Sequence, residues 1–358
     1  MTTFIQLHML TFYPPSNLNR DELGRPKTAV VGGSTRLRIS SQSLKRAWRT
    51  ADLFRSTLEG NLGVRTKELG LQVYKKLRDK EVSEKNAKIW AKQIAGVFGK
   101  SKSEDKEKKG SLQGLEIEQL AHFSPEELHA IDVLIERLAV EKREPKAEEL
   151  ELLREKHSAV DIAMFGRMLA DKPRYNMEAA VQVAHAFTVH EVAVEEDYFT
   201  AVDDLNKGDE DRGAAHLGEM EFGSGLFYGY ICINRSLLEK NLNGDAVLAR
   251  KALRALVETG AQVGPRGKQN SFASHTKAHY ILAEKGGQQP RSLALAFADG
   301  IPTRNGKGNG ILGNAKEALE DKRKKMDVVY GACADAHRIM DLETGEGTLK
   351  AILDFVTE

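Results

Sequence analysis

The sequence has little cysteine and no long apolar run. Its 358 residues include only Cys232 and Cys333, which stand alone, so it has neither a disulfide framework nor a Cys-x-x-Cys metal motif. No apolar run approaches the roughly 18 residues that a membrane span requires. The first residues, MTTFIQLHML, lack the basic segment that opens a secretory signal peptide. We therefore expect a cytoplasmic protein.

The chain also lacks an excess of charge of either sign, except in one segment. It has 53 Lys and Arg residues against 52 Asp and Glu residues, which argues against a protein that coats duplex DNA with its whole surface. Residues 36–50, RLRISSQSLKRAWRT, contain no acid. Their five basic residues are Arg36, Arg38, Lys45, Arg46 and Arg49. Such a segment favours an anionic partner, although many surface helices have basic residues for solubility alone.

A helix with two different faces is predicted from this segment to about Leu58, with Ser40 or Ser41 as its N-cap. Its apolar residues recur at helical spacing and should be buried: Leu44, Ala47, Trp48, Ala51, Phe54 and Leu58. The opposite, exposed face has Gln42, Lys45, Arg46 and Arg49. Backbone N–H groups at the helix start, followed by a row of bases, suit several successive phosphates, as in a nucleic acid.

Two loops extend this basic face. The polar stretch that precedes the helix, residues 13–35, is predicted to be a long ordered loop and contains Arg20 and Lys27. The segment GPRGKQNSF (264–272) places further polar residues between glycines, in a loop that can approach a phosphate closely: Arg266, Lys268 and Gln269. It does not match the Walker pattern, so a nucleoside triphosphate site is not expected.

The strong elements follow the order strand, helix, strand, strand, helix, strand. The strands are predicted at 4–12, 180–194, 225–234, 279–285 and 292–298, and the later helices at 245–261 and about 348–356. The first strand, FIQLHMLTF, has apolar side chains on both faces and is therefore predicted to be central in its sheet. The order of the elements is that of an α+β, ferredoxin-like domain, which RNA-recognition modules also use. Residues 60–160 have helical periodicity and are predicted to be an insertion. Residues 195–224 extend the central hairpin.

The hairpin extension combines acidic residues with bulky apolar ones. Its apolar residues are Tyr198, Phe199, Val202 and Leu217. An acidic arm of this kind either docks on a neighbouring subunit or inserts a wedge between bases, as apolar wedges do in other nucleic-acid-binding proteins.

No motif predicts catalysis or a cofactor. Gly308, Gly310 and Gly313 match a GxGxxG pattern but lie in a polar segment that is typical of a flexible loop. His275 and His279 have a spacing that can share a metal, yet no nearby acid or cysteine completes the ligand set. We expect a protein that is not an enzyme and binds no metal.

Several stretches together resemble a known family. FIQLHMLTFYPPSNLNRDELGRPKTAVVGG, followed by RISSQSLKRAWR, closely resembles the start of the CasC-type backbone subunit of the type I-E CRISPR Cascade complex. The resemblance recurs at VDIAMFGRM, QVAHAFTVHEV, DYFTAVDDL and AAHLGEMEFGSGLFY. It implies an RNA-recognition-like palm (1–59, 161–194 and 225–358), helical fingers (60–160) and a hairpin thumb (195–224).

The resemblance also implies a function and partners. Members of the family are non-catalytic subunits that oligomerise along the CRISPR guide RNA and display its bases for pairing with the target DNA strand in antiviral defence. The implied partners are therefore the guide RNA, single-stranded target DNA, copies of the same chain and the other Cascade subunits. Those subunits are the large, small, guide-end capping and guide-processing ones.

Site residues are implied on the same basis. Those expected to hold guide phosphates and sugars are Arg20, Lys27, Ser40, Gln42, Lys45, Arg46 and Arg49, with Arg266, Lys268 and Gln269. Met168 on the palm and Leu217 on the thumb would flank a kinked nucleotide. The thumb wedge would consist of Tyr198, Phe199 and Val202.

Two alternatives remain at the level of the sequence. The first is a metal-dependent ribonuclease on the same palm, for which Asp203 and Asp204 are the thumb candidates. The second is a general single-stranded RNA-binding oligomer outside CRISPR defence, which would show no preference for Cascade subunits and no pairing with a target strand.

Overall fold

The computed structural model describes residues 2–103, 112–201, 216–302 and 310–358. Two compact units make up the chain. The sheet unit comprises Met1–Phe54, Gln182–Arg235 and Leu253–Glu358. The helical unit comprises Arg55–Val181 and Ser236–Ala252.

Strands and helices are both numerous in the described residues. The strands are β1 Phe4–Ser16, β2 Thr28–Val31, β3 Ser34–Ile39, β4 Val64–Thr66, β5 Ala121–Phe123, β6 Val181–Val183, β7 Ala186–Thr188, β8 Glu195–Ala201, β9 His216–Asn234, β10 Tyr280–Gly286 and β11 Ala336–Asp341. The α-helices are α1 Ser41–Arg49, α2 Asp52–Thr57, α3 Leu69–Asp79, α4 Glu84–Gly96, α5 Pro125–Glu141, α6 Val160–Phe165, α7 Arg235–Asn241, α8 Ala246–Gln262, α9 Gln269–Phe272, α10 Gly310–Tyr330 and α11 Leu349–Thr357. Short 3-10 helices lie at Gln113–Leu115, Ala147–Leu150, Pro173–Tyr175 and Ala294–Phe297.

One large antiparallel sheet organises the sheet unit. Its strand order is β11-β10-β1-β9-β7-β3-β2, and β6 and β8 also pair with β9. Strand β1 lies between β10 and β9 and is antiparallel to both. Every side chain from Ile5 to Leu10 is buried, which confirms the prediction of a central strand with apolar side chains on both faces.

The structure corrects several predicted elements. Residues 28–35, predicted within a loop, belong together with residues 36–39 to the β2–β3 hairpin, which pairs with β7 at the edge of the sheet. The predicted strand at 292–298 is instead a 3-10 helix, in which Leu293 and Phe297 are buried while Leu295 is 61% exposed. The two buried residues are four positions apart, whereas in a strand every second side chain would point to the buried face. From Gly310 onward, the predicted flexible loop is the first turn of α10.

The predicted first helix is interrupted but keeps its buried face. Thr50 ends α1, since its N–H and hydroxyl both donate to the Arg46 carbonyl, and α2 begins at Asp52. All six apolar residues predicted on the buried face of this segment are less than 9% exposed. Trp48 also donates its indole N–H to the Val263 carbonyl at 3.1 Å.

The helical unit packs α3, α4 and α5 around a core that includes Val73, Trp90 and Ile135. A capping box starts α5: the Ser124 hydroxyl accepts from the Glu127 N–H, and the Glu127 carboxylate accepts from the Ser124 N–H. The unit extends beyond the predicted insertion, through residues 161–181, because the buried Arg167 guanidinium pairs with Glu127 at 2.7 Å.

Within the described ranges, no helix is both long and apolar enough to cross a bilayer.

Candidate nucleic-acid interface

Helix α1 presents polar side chains opposite its buried face. Gln42 and Arg46 are exposed, whereas Lys45 and Arg49 are partly buried. Burial lowers the pKa of the Lys45 ammonium. Ser40 is 7% exposed, and its hydroxyl accepts a hydrogen bond from the Ser43 N–H. The structure therefore shows Ser40 as the N-cap and places the other predicted residues of α1 on or near the surface.

The loop before β2 is fixed by two buried or half-buried amides. Asn17 is fully buried, and its side-chain NH₂ group donates to the carbonyls of Gly24 and Glu221, each at 2.9 Å. The Asn19 side-chain oxygen accepts from the Ser40 N–H at 2.8 Å. These bonds hold the exposed Arg20 beside the start of α1.

The loop at 264–268 lies directly on the chain that follows β1. A Cβ atom on Gly267 would come within 2.3 Å of the Leu18 carbonyl oxygen, and one on Gly264 within 2.8 Å of the Tyr13 hydroxyl. The sequence suggested that glycines in this loop allow a phosphate to approach. In the structure, Gly264 and Gly267 allow close approach of the protein's own backbone and Tyr13.

These three segments enclose an open cleft of about 560 Å³. Three predicted residues line it together: Arg20, Arg46 and Arg266. Asp21 and Glu22 also line the cleft, but the Asp21 carboxylate is bound by Arg25 at 3.2 Å. Within the described ranges, no carboxylate oxygen lies within 4.0 Å of the guanidinium groups of the three arginines. The cleft can therefore accept an anion with several N–H donors.

A second cleft of about 520 Å³ shares Arg266 with the first. Gln269, His275, Lys277 and His279 line it, and its lining includes no acidic residue. The Gln269 amide donates to the Pro265 carbonyl at 3.0 Å. The two histidines do not form part of a metal site in the described residues, where no group of three potential ligands occurs.

Other predicted residues lie outside these clefts. Lys27 lines a separate small pocket together with Arg38, and Lys268 is exposed in a left-handed conformation with φ of 50°. Arg36 is not part of the basic surface, because it is fully buried and donates to the Thr188 carbonyl at 3.3 Å. The other four bases in residues 36–50 are exposed or partly buried.

The hairpin of β8 and β9 presents aromatic side chains on both faces. Tyr198 and Phe199 are 61% and 42% exposed, and adjacent residues of a strand point to opposite faces. Phe199 pairs with Gly218, and a Cβ atom at Gly218 would come within 2.3 Å of the Phe199 ring. The ring therefore occupies the space that a larger residue at position 218 would fill.

Four further predicted or alternative residues of this arm are only partly described by the structure. Leu217 belongs to β9 and pairs with Thr200. Val202, Asp203 and Asp204 lie outside the described residues.

Met168 lies in the helical unit and is 80% exposed. The residues on either side of it are fixed. Arg167 is buried against Glu127, and the Leu169 N–H donates to the Asn176 side chain at 2.6 Å. The family resemblance implied a place on the palm for Met168, whereas this residue belongs to the helical unit.

The chain is similar to known proteins over nearly its whole length. A family model described as CT1975-like protein matches residues 5–353. The chain belongs to the CT1975-like protein family. No curated protein sequence matches it.

Two solved chains cover nearly the whole length of this member of the family. One, from a structure described as "CRISPR RNA-guided surveillance complex, pre-nicking", is 31% identical, with 99% of each chain covered and a TM-score of 0.80. Another, from a "CRISPR RNA-guided surveillance complex", is 26% identical, with 99% of this chain and 98% of that chain covered and a TM-score of 0.59.

Proposed function

We propose that the chain is a non-catalytic backbone subunit of a type I-E CRISPR Cascade complex, of the CasC type, which binds the guide RNA. The observation that supports this most directly is the convergence of Arg20, Arg46 and Arg266 on one cleft. These residues come from three distant parts of the chain. The near-complete coverage of a chain from an RNA-guided surveillance complex indicates which polyanion would occupy it.

The sheet supports an RNA-recognition-like palm. Taken in chain order, β1, β7, β9 and β10 are its four strands, and their spatial order is fourth, first, third, second. Helices α1 and α8 follow the first and third of them, as a ferredoxin-like topology requires. In this proposal the helical unit is the fingers domain and the β8–β9 hairpin is the thumb.

In the mechanism that we propose, the protein binds the backbone of the guide RNA, and the bases of the RNA recognise the target sequence. Guanidinium and ammonium groups of the cleft would bind successive phosphates, which provides affinity without reading bases. Bases left facing outward would pair with the target DNA strand. Copies of the chain would then repeat this arrangement along one guide, together with the other Cascade subunits.

Purification from the native host, followed by sequencing of the bound RNA, tests the proposal. We expect uniform CRISPR-derived guides that co-purify with other Cascade subunits. Heterogeneous RNA without those subunits would instead support the general RNA-binding alternative.

The ribonuclease alternative has its own test. Magnesium-dependent cleavage of the bound RNA that is abolished by Asp203→Asn together with Asp204→Asn would contradict the non-catalytic role.

A further inference from the structure

Three basic residues lie near one another at the edge of the sheet, beside the arginine cleft but not among the residues that line it. The Arg38 N–H, on β3, donates to the Lys27 carbonyl at 2.7 Å. The Arg38 guanidinium lies 2.6 Å from the Nδ1 atom of His185, which lies between β6 and β7. Arg38 and Lys27 line the same pocket, and His185 is exposed.

The one acceptor atom among these three side chains, His185 Nδ1, is used within the cluster. A guanidinium has no acceptor, so His185 Nδ1 must accept from Arg38, and its Nε2 atom therefore has the proton. The Lys27 ammonium and the remaining Arg38 N–H groups are donors as well. Burial and the charges of Arg38 and Lys27 lower the pKa of His185.

The cluster lacks acidic partners of the kind that two other bases of the sheet unit have. Arg291 pairs with Glu284 at 2.7 Å, and Lys316 pairs with Asp341 at 2.8 Å. In the described part of the chain, no carboxylate oxygen lies within 4.0 Å of the basic groups of Lys27, Arg38 or His185. Lys27 and Arg38, which line one pocket, have charges of the same sign that repel each other, and a bound anion would offset that repulsion.

We propose that Lys27, Arg38 and His185 form a phosphate subsite that binds one phosphodiester of single-stranded RNA. This inference rests on the proposed function, and it adds Arg38 and His185 to the RNA-binding residues implied by the family resemblance. The position supports it, because Leu18 and Asn19 line both this pocket and the arginine cleft. A continuous strand of RNA could therefore contact both.

Binding of a labelled oligouridylate over a range of salt concentrations tests the subsite. We expect Arg38→Ala and Arg38→Gln to weaken binding and to flatten the slope of log K against log salt by about 0.7, the value for one lost phosphate contact. Arg254→Ala is the matched control, because Arg254 already pairs with Asp354 at 3.2 Å. It should leave the slope unchanged.

His185 provides a second readout that a structural role would not affect. A bound phosphate would accept the Arg38 N–H in place of His185 Nδ1 and would raise the pKa of the imidazole, so that Nδ1 should take up a proton on binding. RNA affinity should then rise as the pH falls from about 7.5 to 5.5, and His185→Gln should reduce that rise. Titration of His185 by NMR in inorganic phosphate, compared with chloride at equal ionic strength, should show a raised pKa that Arg38→Ala abolishes.

The outcomes separate the subsite from the proposed function. If the wild-type chain binds RNA and the Arg38 and His185 variants keep its salt slope and pH dependence, the subsite is wrong. If inorganic phosphate raises the pKa of His185 but the variants bind RNA as the wild type does, the cluster binds small anions only and the proposal also fails. If the wild-type chain binds no RNA at all, the proposed function fails with it.

Discussion

Basic side chains have different surroundings in the two units. In the helical unit, surface bases lie beside carboxylates: Lys76 contacts Asp132 at 2.5 Å, and Lys102 contacts Glu116 at 2.6 Å. In the sheet unit, Arg20, Arg46 and Arg266 share a cleft and have no carboxylate within ion-pair distance in the described ranges. The net charge of the whole chain is near zero, but the pairing of basic with acidic side chains differs between these two surfaces.

The basic side chains at the end of α5 and in the loop after it also have an acidic partner. Arg137 and Arg143 both contact the Glu149 carboxylate, Arg143 with two hydrogen bonds of 2.7 Å. Hydrogen bonds from Arg143 lower the pKa of Glu149. Because this carboxylate neutralises the nearby bases, this part of the helical unit is a weaker candidate for nucleic acid than the cleft.

The largest expected effect comes from the buried ion pair of the helical unit. Glu127→Gln would leave the Arg167 guanidinium, 2% exposed, without a charged partner, and should lower the free energy of unfolding by about 3–5 kcal/mol. Urea denaturation measures this. Adding Arg167→Met should recover much of the loss. Equal stability of Glu127→Gln and wild type would show that the pair is not required.

The buried ion pair of the sheet unit predicts a dependence on pH. Burial opposes ionisation of Glu284, but hydrogen bonds from His8 and Arg291 hold its pKa at about 2, against an ordinary value of 4.5. Since the folded pKa is lower, this stabilisation is present above pH 4.5 and is lost as the pH falls toward 2. The loss should approach roughly 3 kcal/mol.

Urea unfolding at pH 6, 4 and 3 measures that loss. Glu284→Gln should be less stable at pH 6 and depend less on pH. If both proteins lose stability in parallel, other groups cause the dependence.

The thumb hairpin tests whether exposed aromatic residues contribute to binding as the cleft does. Phe199→Ala should weaken RNA binding by roughly 1–3 kcal/mol if the ring stacks on a base. Gly218→Val should displace the ring, because even a Cβ atom would come within 2.3 Å of it. In the Phe199→Ala background, Gly218→Val should then cause little further loss of RNA affinity. If Gly218→Val weakened binding equally in both backgrounds, it would not act through the Phe199 ring.

The arginine cleft provides the direct test of the charge comparison. Arg20→Ala together with Arg46→Ala should weaken RNA binding by about tenfold and flatten the slope of log K against log salt by about 1.4, or 0.7 for each contact. Arg137→Ala together with Arg143→Ala is the matched control in the helical unit. If the control variant changed the slope more than the cleft variant, the helical unit and not the arginine cleft would be the main RNA-binding surface.

The smallest effect is expected at an exposed ion pair. Lys76 and Asp132 are each about half exposed, so Lys76→Ala should change the free energy of unfolding by about 0–1 kcal/mol and leave RNA affinity unchanged. Thermal unfolding and the same RNA titration measure both quantities. A clear loss of RNA affinity would show that this paired lysine also binds RNA.

Local periodicity was sufficient for parts of the fold and the site. The apolar residues of the α1 segment repeat at helical spacing, so Trp48 and Phe54 were predicted to be buried and are. Strand β1 is apolar at successive positions, which predicted its central place in the sheet. In both cases the deciding pattern lies within one element, and neighbours along the chain determine it.

Tertiary structure alone decided the features that depend on distant pairing. Strand β3 pairs with β7, Arg38 opposite Phe187, which buries Arg36 and brings Arg38 to His185. The contact of Gly267 with Leu18 likewise joins two loops about 250 residues apart in sequence. Periodicity does not encode which strands pair or which loops pack together, because these contacts depend on the burial and hydrogen bonding of the whole chain.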